Sequence, residues 1–129
     1  MLYLKDQDII TINILVNKNF DVEANDKVVK VPTALDSVIK NVQQTIEGKL
    51  IYNSIEECAA YYLRGLSQGH IFFNGNKRTA FLGMAMFLRL NGKQLNCTNE
   101  EAYQFTKQVA ENRTMKVKII ASWIKRHCK

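Results

Sequence analysis

Residues 81–90, Phe-Leu-Gly-Met-Ala-Met-Phe-Leu-Arg-Leu, place apolar side chains nearly all the way round a helical wheel. A helix with no face that prefers water is stable only where other elements enclose it. The chain must therefore wrap amphipathic neighbours around a central helix running from about Lys77 to Leu90, which Asn91-Gly92 closes.

Those neighbours are legible in the spacing. Thr33 is placed to cap a helix, with Asp36 supporting its first turn. Leu35, Val38, Ile39, Val42 and Ile46 then form one stripe, and Gly48 stops it. Ser54 and Glu57 read as a capping box for a helix whose buried stripe is Ile55, Cys58, Ala59, Tyr62 and Leu66, with the break at Gly69. A second box, Thr98 with Glu101, precedes Ala102, Phe105 and Val109. Val117, Ile120, Trp123, Ile124 and His127 give the last amphipathic helix.

The segment Asp6 to Asn17 fits two periods. Ile10, Ile12 and Ile14 alternate like a strand, while Ile9, Ile12 and Val16 follow a helix; length and the surrounding pattern favour the helix. Asn17 to Lys30 reads as an exposed polar loop, ending in a short extended piece, Val28–Val31, that Pro32 biases towards that geometry. The expectation is an all-α, compact bundle of about six helices, a single domain over residues 1–129.

Composition narrows the function classes. With 47% apolar residues, 129 residues can build one core, and no apolar run is long enough to span a membrane. Met1 to Asp8 carry two acids and one base, unlike a secretion leader, so the cytoplasm is the expected location. Cys58, Cys97 and Cys128 share no short spacing, which leaves redox or zinc motifs without a basis. The net charge of +6 is concentrated after Glu111, in Arg113, Lys116, Lys118, Lys125, Arg126 and Lys129. A solvated helix face accounts for it, and without interleaved aromatics direct nucleic-acid binding is not expected.

Chemistry concentrates at residues 70–78, His-Ile-Phe-Phe-Asn-Gly-Asn-Lys-Arg. The unpaired N–H groups at the start of the apolar helix can bind an anion, and Gly75 lets the backbone approach it closely. Lys77 and Arg78 add positive charge where the helix dipole alone disfavours it, so the arrangement makes most sense with a phosphate bound. His70, one loop earlier, is the residue type suited to taking a proton near neutral pH. Phe72 reads as a buried anchor for the loop, while Phe73 could either pack or face a ligand.

This nonapeptide resembles the HxFx(D/E)GN(G/K)R signature of Fic-domain enzymes. With Lys77 and the following Thr79-Ala80, it resembles most the death-on-curing branch of bacterial and phage toxins. The resemblance extends to the helix before His70, to Phe87–Gly92 and to Trp123–His127. It implies a mostly helical fold with the motif spanning a loop and a helix N-terminus. It further implies a toxin kinase that passes the γ-phosphoryl group of Mg²⁺-ATP to a threonine or serine hydroxyl, elongation factor Tu being the implied target. His70 would be the base, with Lys77 and Arg78 sharing the catalytic work; Gly75, Asn76, Lys77 and Arg78 would hold ATP, and Asn74 the metal. A cognate antitoxin is the implied partner, with nucleic acid met only through the toxin–antitoxin complex. Two readings stay open beside the kinase: an AMP transferase using the same cradle, and a relative that acts by binding a partner.

Two positions depart from the pattern. Asn74 stands where Asp or Glu holds Mg²⁺, and an amide oxygen brings no negative charge to a hard cation. Gln68 stands where death-on-curing toxins carry an arginine. The resemblance therefore implies a slowed enzyme. Replacing Asn74 with Asp is expected to raise Mg²⁺-dependent transfer by about ten- to a hundredfold, the rate equivalent of one charged contact. Initial rates across a magnesium titration measure it; identical rates for both forms would deny position 74 a metal role.

Overall fold

The computed structural model describes residues 1–18 and 28–129. These form α1 (Asp6–Asn17), α2 (Pro32–Asn41), β1 (Thr45–Ile46), β2 (Lys49–Leu50), α3 (Ile55–Gln68), α4 (Asn76–Leu90), α5 (Asn99–Glu111) and α6 (Val117–Arg126). The all-α expectation holds, apart from one small hairpin. Most of the expected Asn17–Lys30 loop lies outside the described residues.

Asp6–Asn17 is helical. The Asp8 carboxylate accepts the Lys5 N–H at 2.8 Å, and two acids in the first turn complement the helix dipole. Ile9, Ile10 and Asn13 face inward, so the 3.6-residue period wins over alternation. α2 begins two residues earlier than the Thr33 cap implied: Val31 is the cap, Pro32 opens the helix, and Thr33 is exposed inside its first turn. It also ends sooner. Glu47 and Gly48 both take left-handed backbone conformations, φ 53° and 79°, which is the geometry of a two-residue hairpin turn joining β1 to β2. Gly48 is thus a hairpin residue, not a helix stop, and Ile46 is exposed instead of extending the stripe.

α3 and α4 form the centre. Tyr62, Leu63 and Leu66 of α3 and Met84, Phe87 and Leu88 of α4 are all fully buried, with the Tyr62 and Phe87 rings 5.0 Å apart. The buried Tyr62 hydroxyl accepts the Leu4 N–H at 3.1 Å, so this polar atom is not stranded. Gly83 permits close packing: a Cβ there would lie 3.2 Å from both Ile9 of α1 and Leu66 of α3. Cys58 is fully buried and burial pushes its thiol up to about 11, which fits a core residue better than a nucleophile.

α4 is less enclosed than its sequence suggested. Leu82, Met86 and Leu90, one turn apart, form an exposed apolar line, because α1, α3 and α5 cover only part of its circumference. The Thr98–Glu101 capping box is complete. At Ser54 only half of one forms: its hydroxyl accepts the Glu57 N–H, while the Glu57 carboxylate meets the Ser54 hydroxyl, not the cap's backbone. Phe105 stacks on Trp123 at 4.1 Å and Trp123 on His127 at 3.9 Å, fastening α6 to α5.

Truncating Phe87 to Ala is expected to lower stability by about 3–5 kcal/mol, and Leu82→Ala by no more than about 0.5 kcal/mol. Urea unfolding of the two variants tests whether the core sits on the α3 side of α4.

Candidate active site

Residues 69–75 connect α3 to α4 and are held by both backbone and side-chain hydrogen bonds. Gly69 ends α3 in ordinary helical geometry, and His70 follows in the left-handed region at φ 49°. Glycine usually occupies this position after a helix because it lacks a Cβ. A histidine here costs about 1–2 kcal/mol of backbone strain, which the packing around the loop must offset. His70 is exposed.

The next residues are sewn to the extended segment before α2. Lys30 and Val31 both donate their N–H to the Ile71 carbonyl, at 2.7 and 3.0 Å, and Phe73 donates to Val28. Val29 pairs with Phe72 as an isolated antiparallel bridge, so the short extended piece expected at 28–31 is present. Phe72 is buried and anchors the loop; Phe73 is exposed. Asn76, the first residue of α4, turns back and meets Phe72 with both ends of its amide. Its Oδ1 accepts the Phe72 N–H at 2.9 Å and its Nδ2 donates to the Phe72 carbonyl at 2.8 Å. The Asn76 side chain is therefore committed to the loop, and its backbone N–H is what it can offer an anion.

Gly75 is the N-cap of α4, with φ 73° and ψ 25° and no side-chain cap on the helix. The first-turn N–H groups stay open to an incoming acceptor. Lys77 and Arg78 are exposed, and no carboxylate among the described residues pairs with either. Positive charge is thus gathered at a helix N-terminus with no counter-ion among the described residues, which is unfavourable alone and favourable with a phosphate present. Asn74 is exposed beside this turn. It is the metal candidate, and no group of three His, Cys, Asp or Glu among the described residues could hold an ion.

Gln68 has a definite task. Its Nε2 donates to the Val109 and Asn112 carbonyls at 2.8 and 3.2 Å, and Arg64, one turn earlier, donates to the Arg113 carbonyl at 3.3 Å. Both side chains tie the end of α5 to α3 immediately before His70. Gln68 thus supports the loop from behind.

Three further features escaped sequence reading. Asn13 and Asn17 of α1 both reach the Asn74 carbonyl, at 2.9 and 3.1 Å. Beside Lys77 and Arg78, a groove of about 390 Å³ runs between α4 and α5, lined also by Phe81, Leu82, Ala102 and Tyr103. Thr106 lies in its wall, only 4% exposed, and its hydroxyl has no hydrogen-bond partner among the described residues. An orphaned buried hydroxyl is costly unless a ligand completes it. Its one sequence signal is a threonine on the inward stripe of α5, next to Phe105.

Replacing Asn76 with Ala should cost about 1–3 kcal/mol, the worth of two hydrogen bonds at a partly buried site. Thermal unfolding reads the loss, and an unchanged melting temperature would mean the loop is held by its other contacts alone.

Residues 3–88 match the sequence model described as the Fic/DOC family. Over 61 residues, 47% of this chain and 47% of the relative, the sequence is 38% identical to a protein named Toxin Doc from Mycolicibacterium smegmatis. Over 64 residues, 50% of each, it is 38% identical to one named Protein kinase doc from Escherichia phage P1. The chain spans about half the length of these curated relatives.

Proposed function

We propose that this chain, which belongs to the Fic/DOC family, is a toxin phosphotransferase that moves the γ-phosphoryl group of ATP onto a protein hydroxyl. The observation that carries the reading is the uncapped N-terminus of α4, where Gly75 opens the backbone and Lys77 and Arg78 have no counter-ion among the described residues. The name of the phage P1 relative, a protein kinase, favours phosphoryl transfer over AMP transfer.

In this reading the first-turn N–H groups of α4, Gly75 and Asn76 among them, grip phosphate oxygens while Arg78 forks two of them and Lys77 follows charge as it shifts. His70 accepts the proton of the attacking hydroxyl. The nucleoside end lies in the α4–α5 groove, where Tyr103 offers an aromatic face and the Thr106 hydroxyl a missing partner. ATP, when bound, supplies the phosphoryl group. For Mg²⁺ the described residues offer a single neutral candidate, Asn74, so the ion would rest mainly on the phosphates. Catalysis is then chiefly positioning and charge stabilisation.

Elongation factor Tu is the proposed substrate, the cytoplasm the proposed site of action, and a cognate antitoxin the proposed partner. No helix among the described residues is long and apolar enough to cross a membrane. His70→Ala is expected to reduce transfer of γ-labelled phosphate to elongation factor Tu by about a hundredfold or more and to relieve growth arrest. Label arriving from the α position instead would assign AMP transfer. Growth arrest that persists in the alanine form, with no label from either position, would leave partner binding as the function.

A further inference from the structure

The carbonyl of Asn74 accepts two side-chain hydrogen bonds, and both donors come from α1. Asn13 is 1% exposed on an otherwise apolar face, and its amide is fully used. Its Nδ2 donates to the Asn74 carbonyl at 2.9 Å and to the Thr79 hydroxyl at 3.0 Å, and its Oδ1 accepts from Asn17 at 3.3 Å. Asn17, one turn later, donates to the same Asn74 carbonyl at 3.1 Å. Its Oδ1 also occupies the space beside Gly75, where a Cβ would come within 2.7 Å.

A planar trans peptide points its C=O and its N–H in opposite directions. Drawing the Asn74 oxygen into α1 therefore turns the Gly75 N–H away from α1 and out of the bundle. Glycine-containing turns are prone to the opposite arrangement, because a glycine tolerates either orientation of the preceding peptide. A flipped 74–75 peptide would present a carbonyl oxygen where an anion needs a donor.

The geometry points to Asn13 and Asn17 as positioning residues, a two-amide latch that holds the 74–75 peptide with its N–H facing the phosphate cradle. This rests on the phosphate-binding reading above and assigns to α1 a part in it. Asn13 and Asn17 touch no phosphate themselves. They act through the peptide they restrain, with Asn13 also tying the latch to Thr79 in the first turn of α4.

The test uses the full chain and inorganic tripolyphosphate, which needs neither a protein substrate nor chemistry. Asn17→Ala and Asn17→Leu both remove the donor, the second keeping the branched four-heavy-atom outline of the side chain. Each is expected to weaken tripolyphosphate binding about tenfold, the effect of losing one restraining hydrogen bond. Calorimetry well below the melting temperature reads the affinity. In ¹⁵N–¹H spectra, the Gly75 amide should shift on titration of the wild-type protein and respond far less in either variant. Wild-type affinity and an unchanged Gly75 response in both variants would overturn the latch while leaving the cradle intact. A lowered melting temperature with undiminished affinity would reduce the pair to structural support and overturn it too. A wild-type protein that ignores tripolyphosphate would sink the cradle and the latch together.

Discussion

The paired hydrogen bonds between the Asn76 amide and the backbone of Phe72 close the α3–α4 loop on itself. The remaining geometry of the site depends on that closure. Asn76 belongs to α4 and Phe72 is buried in the core, so the clamp fixes where the helix starts relative to the packed interior. With the helix start fixed, Gly75 turns left-handed to join the loop to α4, with no side chain capping the helix. The strained His70 is held because residues 71–73 are bonded to residues 28–31 on its far side.

The loop is held largely by neutral amides. Asn13, Asn17, Gln68 and Asn76 each spend their side chains on backbone carbonyls or N–H groups around it. Neutral restraints fix geometry without adding charge, which leaves Lys77 and Arg78 to set the local field. Gln68, where the resemblance implied an arginine, belongs to this pattern: its two hydrogen bonds secure the α5 end. Asn74 has the same character, since its carbonyl serves the latch and its side chain brings no charge.

α4 carries both halves of the protein's logic. Its buried side, built on Met84, Phe87 and Leu88 and tightened at Gly83, anchors the core. Its first turn, one helical length away, is the only part of it that must stay open to a ligand. A rigid, buried helix is a good carrier for such a turn, because its dipole and its N–H groups do not need to reorganise when an anion arrives. The exposed line of Leu82, Met86 and Leu90 leads along the same helix away from the groove.

Helix content, the central place of residues 76–90, the capping box at Thr98 and the nonapeptide of the site were all legible in the sequence, because each depends on residues close together in the chain. Local signals failed where two readings share one pattern. Gly48 could end a helix or turn a hairpin, and only the pairing of Thr45 with Leu50 chose the hairpin. Nothing local marked Asn13 for burial, since its partners Asn74 and Thr79 lie more than sixty residues away. The Thr106 hydroxyl was invisible for the same reason: whether it is satisfied depends on what α4 and its neighbours bring to it. The sequence by itself determined which atoms could do chemistry. Only the packing of α1, α3 and α5 around α4 decided which way those atoms point, since orientation is set by contacts between segments that the order of residues does not reveal.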